Sequence, residues 1–148
     1  MTAASAPNPV GDLLLDAFSR VRAGVHGAVE GLDHAALTLR VDAEANSIAW
    51  LVWHIARIQD DHICGLNGAE QIWFQGWYER FGVPFDRTDT GYGHTTEQVA
   101  ACQASAGDLL GYYDAVHEAT EAYVATVLIG ELDRVVDERW DPPVTLAV

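Results

Sequence analysis

Three long segments of this chain repeat apolar residues at spacings of three and four, and alternation of apolar with polar residues never persists. That pattern supports helices and little else. In the first segment, about residues 9–31, Val10, Leu14, Ala17, Phe18, Val21, Val25 and Val29 fall on one side, leaving Arg20 and His26 on the other. Asn8 can cap its free amides, and Pro9 suits the first helical position. The second, about 46–66, is expected to be capped by Asn46 and to stop at Asn67 and Gly68. The third, about 105–129, opens with Ser105 and Asp108 in capping-box spacing, turns Leu109, Tyr112, Tyr113, Val116, Tyr123, Val124 and Val127 inward, and ends at Gly130.

Residues 67–104 form an excursion far longer than the roughly 2 to 8 residues that usually join bundle helices. Its first half, EQIWFQGWYERFGVPF, carries six aromatics and predicts a short helix closing one end of a bundle, with Trp73 or Trp77 substantially buried. Its second half, DRTDTGYGHTTEQVAAC, reads as a polar loop leading to another short helix capped by Thr95 and Gln98. DHAALTLR is a further short helical candidate. The expectation is an all-α, up-and-down bundle in one domain over residues 1–148. Pro142 and Pro143 followed by Val144 and Thr145 look like the start of a fourth helix capped by Thr145, with three residues after it, so that helix is expected to be truncated or absent.

Eight Lys and Arg against 22 Asp and Glu give a formal charge of -14, which repels phosphate backbones and anionic lipid and so disfavours nucleic acid and membrane surfaces as partners. No apolar run approaches the roughly 20 residues of a membrane span, and MTAASAPNPV has neither the basic nor the apolar part of a signal peptide. Cys64 and Cys102 stand outside any paired motif and read as reduced thiols. A soluble, cytoplasmic protein is expected.

Candidate chemistry rests on histidines. On a helical wheel Ile48, Leu51, Ile55, Ile58 and His62 share one face of the second helix, with His54 at its edge and Asp61 just beyond. An inward imidazole can be a satisfied core group, a catalytic base or a metal ligand. His54 and His62 cannot share an ion unaided, because eight residues set them about 12 Å apart at about 1.5 Å per residue. Trp50, Asp61 and His62 are the candidates to line a pocket or support a ligand beside His54. Asp114, His117 and Glu121, spaced by three and four, are an alternative metal set, although the wheel turns Asp114 and Glu121 toward solvent and sets His117 at the apolar border. His94, in GYGH, can reach a pocket or decorate a turn; His26 and His34 read as surface groups. No GxSxG, Walker loop, HExxH or paired-cysteine motif is present.

The segments NSIAWLVWHIARIQDDHI, GWYERFG, DTGYGHT, DLLGYYDAVHEAT and WDPPVTLAV, in this order across nearly the whole chain, resemble the DinB and mycothiol S-transferase-like superfamily. The resemblance implies a four-helix bundle, frequently dimeric, with a divalent metal such as zinc or nickel held by three side chains. His54 in WHIAR matches the ligand of the second helix. The other two ligands belong to the fourth helix, a histidine and a residue four places before it, and no residue here matches them. Related proteins include transferases and isomerases that use a low-molecular-weight thiol. Two functions follow as expectations: a metal-dependent, thiol-using enzyme with an incomplete site in this chain, or a noncatalytic helical module that binds a small molecule or a partner helix and forms a homodimer.

Overall fold

The computed structural model describes residues 7–148. Helix α1 runs over Pro9–Val29, with Asn8 Oδ1 accepting the Gly11 amide at 3.1 Å. A short α2, His34–Thr38, is capped by Asp33. Helix α3, Ile48–Asn67, starts one residue later than expected: Ser47, not Asn46, is the cap, its Oγ accepting the Trp50 amide at 3.1 Å. The helix stops at Gly68, whose left-handed φ of 72° closes the last turn. In the excursion, a 3-10 turn at Ile72–Phe74 precedes α4, Trp77–Phe81, and the Thr95–Gln98 capping box opens α5, Thr96–Ala101. Helix α6, Ala106–Val124, begins at the Ser105 cap as expected but ends well before residue 129. There the Thr126 amide and hydroxyl both donate to the Tyr123 carbonyl, an i−3 turn that stops the α ladder.

Helix α3 packs mainly on α6 and α2, and α1 lies chiefly against α6. The aromatic half of the excursion closes the core, as its composition suggests. Trp73 is 1% exposed and meets Phe81 and Tyr78 edge to face, while Trp77 is half-buried against Tyr112.

Two expectations are corrected. Val144 and Thr145 do not start a helix: they form strand β2 (Val144–Thr145), antiparallel to β1 (Val135–Asp137), with the Leu146 and Ala147 amides donating to the Arg134 and Leu132 carbonyls. The β-branched residues around Val135, Val136 and Val144 suit this extended pairing. Among the described residues there is no fourth long helix, and no helix is long and apolar enough to cross a membrane.

The second correction concerns the orientation of α3, which is apolar on two faces. Its buried face carries Trp53, Ala56, Arg57, Asp60 and Cys64, whereas Leu51 and Ile55 of the face picked out by the wheel are 42% and 40% exposed. That face borders a groove between α1 and α3, and Val21, read from spacing as a core residue of α1, stands 43% exposed on the opposite bank. A wheel identifies apolar residues but not how many neighbours a helix has. The uncovered face is where a bundle of four would seat one more helix.

Candidate functional site

Three cavities adjoin along this side of the molecule, neighbours sharing lining residues. One of about 500 Å³ lies between the start of α1 and the ends of α3 and α6, walled by Leu14, Phe18, Ile63, Val127 and Leu146. One of about 400 Å³ in the middle is lined by Phe18, His54, Ile55, Ile58, Gln59 and His62. The last, also about 400 Å³, reaches Ile48 and Leu51 and shares Ile55 with the middle chamber. The walls are almost wholly apolar, so the imidazoles are the main chemical handles in the middle chamber.

His54 is half-buried there, its ring stacked on Trp50 at 4.7 Å and 17°. Its Nδ1 lies 2.6 Å from the Thr90 carbonyl oxygen. A carbonyl only accepts, so Nδ1 carries the proton and donates. Nε2 has no hydrogen-bond partner among the described residues and is not one of the sealed, unpaired polar atoms. Trp50 supports the ring of His54 by this stacking. His62, read as facing inward, is exposed; its Nδ1–H donates to the Ile58 carbonyl at 2.8 Å. Asp61 accepts from Gln71 at 2.8 Å and lines a separate cleft with His62 and Trp140. Neither touches His54 through a hydrogen bond.

A three-ligand metal centre does not fit these side chains. Among the described residues no three of His, Cys, Asp and Glu come together to hold an ion, and His54 offers one donor. In the alternative set, Asp114 Oδ1 is taken by Arg22 Nε at 2.7 Å and by His26 Nε2 at 2.8 Å. His117 is buried, with Nε2 3.3 Å from Glu121 and Nδ1 unpaired, while Asp114 and Glu121 line a surface cleft with Arg22. Asp114 is thus part of a structural seam between α1 and α6 whose α1 partners, Arg22 and His26, are not legible from α6 alone. The cysteines offer no reactive thiolate: burial pushes Cys64 up to about 11 and Cys102 up to about 12.

The seam makes a pH prediction. Hydrogen bonds to Asp114 and then Glu30 raise the His26 pKa above its ordinary 6.5. Burial alone would push the Asp114 carboxyl up, but Arg22 and His26 outweigh it and hold it below the usual carboxylate range. A raised histidine pKa means that the folded state binds the proton more tightly. While Asp114 stays ionised, the contribution of the protonated His26 is fully present below about pH 6.5 and is lost as pH rises through the raised value. Urea unfolding across pH 5 to 9, on the order of the imidazole range, should show this slope in the native protein and a flatter one in His26→Gln. Identical slopes would remove the seam's electrostatic role.

The family model described as the DinB superfamily matches residues 17–148. The chain belongs to the DinB superfamily. A crystal structure of a conserved protein from Enterococcus faecalis is similar to it, with a TM-score of 0.87 and 29% identity over 97% of this chain and 85% of that one. No curated protein matches at a significant level.

Proposed function

We propose that the α1/α3 groove is the working surface of this DinB-superfamily protein and that His54 is its imidazole donor, offering Nε2 to a divalent ion such as zinc or nickel. The remaining donors come from whatever helix occupies the groove. One observation carries this reading: Nδ1–H is engaged by the Thr90 carbonyl, Nε2 has no hydrogen-bond partner among the described residues, and His54 lines the middle chamber. Metal-binding histidines are held in this way, the bonded nitrogen fixing the tautomer and raising the basicity of the other. A thiol-using transferase reaction, which the family likeness suggests, calls for a complete centre, and one imidazole is not a centre. In this chain alone metal binding should be weak, and a small-molecule ligand or thiol would meet an apolar chamber with one basic nitrogen.

A second reading has its own support. Leu13, Val21, Leu51 and Ile55 are all more than a third exposed along the two banks, and such a groove suits the apolar face of a helix, including one from a second copy in a homodimer. One experiment addresses both readings. Metal-free protein is titrated with zinc, metal content is read by mass spectrometry, and the oligomeric mass by light scattering. Weak binding that disappears in His54→Ala is expected, and adding a helix bearing a histidine and a carboxylate four residues earlier should make it tight. Tight, stoichiometric zinc that survives His54→Ala would overturn the metal reading and redirect attention to Asp114, His117 and Glu121. A monodisperse monomer at micromolar concentration would defeat the homodimer.

A further inference from the structure

The DTGYGH segment in the second half of the excursion lies directly against His54. Thr90 supplies the carbonyl that accepts the His54 Nδ1–H at 2.6 Å. The Asp89 carbonyl accepts from the Nε of Arg57, a guanidinium wholly buried one turn further along α3. His94 Nδ1 accepts the indole N–H of Trp50 at 3.1 Å, and its ring lies parallel to Trp53 at 5.5 Å. Trp50 is in turn the residue stacked on His54. Between these contacts sits Gly91 at φ 97°, so close that a Cβ there would stand 2.6 Å from His54 Nδ1 and 3.0 Å from the rings of Trp50 and Trp53. Only glycine meets both conditions, a left-handed backbone and direct apposition to the imidazole.

We propose that Asp89–His94 is a positioning clamp: it holds His54 in the tautomer protonated at Nδ1, keeps Nε2 as a lone-pair donor toward the groove, and depends on Gly91 for its close approach. His94 and Trp50 are positioning residues here, acting on His54 through the stacked indole and the loop. A backbone carbonyl suits this task because, unlike a carboxylate, it neither titrates nor draws the ring proton away. The proposal rests on His54 being the groove's donor, but it makes a statement about the imidazole that can be read without any metal.

The test is nitrogen-15 NMR of the histidine rings in the full chain at neutral pH, with His54 assigned by its loss in His54→Ala. In the native protein Nδ1 should appear as a protonated, pyrrole-type nitrogen and Nε2 as an unprotonated, pyridine-type one. Gly91→Ala should replace this with an averaged or reversed pattern while far-ultraviolet circular dichroism keeps the helical signal. Trp50→Phe, which keeps a ring under His54 but removes the N–H that binds His94, should shift the pattern partway, and it decides the matter if Gly91→Ala does not fold. Finding His54 protonated at Nε2 in the native protein, or unchanged in a folded Gly91→Ala, or unchanged in Trp50→Phe where Gly91→Ala is lost, overturns the clamp. If the tautomer is as stated while the zinc titration shows no dependence on His54, the clamp stands and the metal reading falls.

Discussion

Asp60→Ala should destabilise the protein by about 3 to 5 kcal/mol, as expected when one member of a buried, hydrogen-bonded charge network is removed. Asp60 is 1% exposed and Arg57 is fully buried beside it, Nη1 lying 3.7 Å from Oδ2. The carboxylate accepts the Ile72 amide at 2.9 Å, the Trp73 amide at 2.8 Å and the Tyr112 hydroxyl at 2.8 Å. Alanine would leave those donors and a guanidinium without their acceptor in a site water does not reach. Arg57 also has a sealed, unpaired Nη2, so it has little capacity to compensate. Asp60→Asn should lose much of the same stability, because an amide nitrogen would face groups that are themselves donors. Urea denaturation at constant m-value is the measurement, and a loss under about 1 kcal/mol for Asp60→Ala would show that the network is dispensable. The consequence extends to the groove. Asp60 fastens the aromatic turn to α3, Arg57 fastens Asp89, and Asp89 leads directly into the loop that holds His54.

The extent to which this arrangement could be read from sequence follows from what periodicity encodes. Spacing of three and four located α1, α3 and α6, and the caps at Asn8, Thr95 and Ser105 lie where residue chemistry puts them. The aromatic spacing around Trp73 led correctly to a buried end of the core. Resemblance across segments such as DTGYGHT and WHIAR points to the DinB superfamily, to which the chain belongs, but periodicity carries no information on which apolar face of α3 has a neighbour. Leu51 and Ile55 therefore looked like core, when the core faces Trp53, Ala56 and Asp60. Arg57 and Asp60 escaped notice because charged residues are expected outside unless paired, and their partners come from backbone amides and carbonyls of a distant loop. The same holds for Thr90, which acts through its carbonyl and not its side chain. Val144 and Thr145 form a strand, although Pro-Pro followed by a possible cap resembles a helix start, because the deciding contact, Thr145 opposite Val135, lies across a turn.

Trp73→Ala should cost about 3 to 5 kcal/mol, the usual range for emptying a packed aromatic site. The indole is 1% exposed, and its N–H donates to the Arg87 carbonyl at 3.0 Å. Its ring touches Phe81 at 5.2 Å, Tyr112 at 5.1 Å and Trp53 at 6.1 Å, so it joins the excursion to both α3 and α6. The guanidinium of Arg57 sits 5.3 Å over its face, which adds a cation–π contact to a buried charge also held by the Asp89 carbonyl, Gln71 and Asp60. Alanine would therefore open a cavity and also weaken the Arg57 and Arg87 segments on either side of it. Trp140 provides the internal control: it is 65% exposed on the turn between β1 and β2, and Trp140→Ala should change stability by no more than about 0.5 kcal/mol. Thermal and urea unfolding of the two variants should separate them widely. Equal midpoints would mean that the aromatic turn does not close the core, and the loop holding His54 would then lack the rigid base on which its contacts depend.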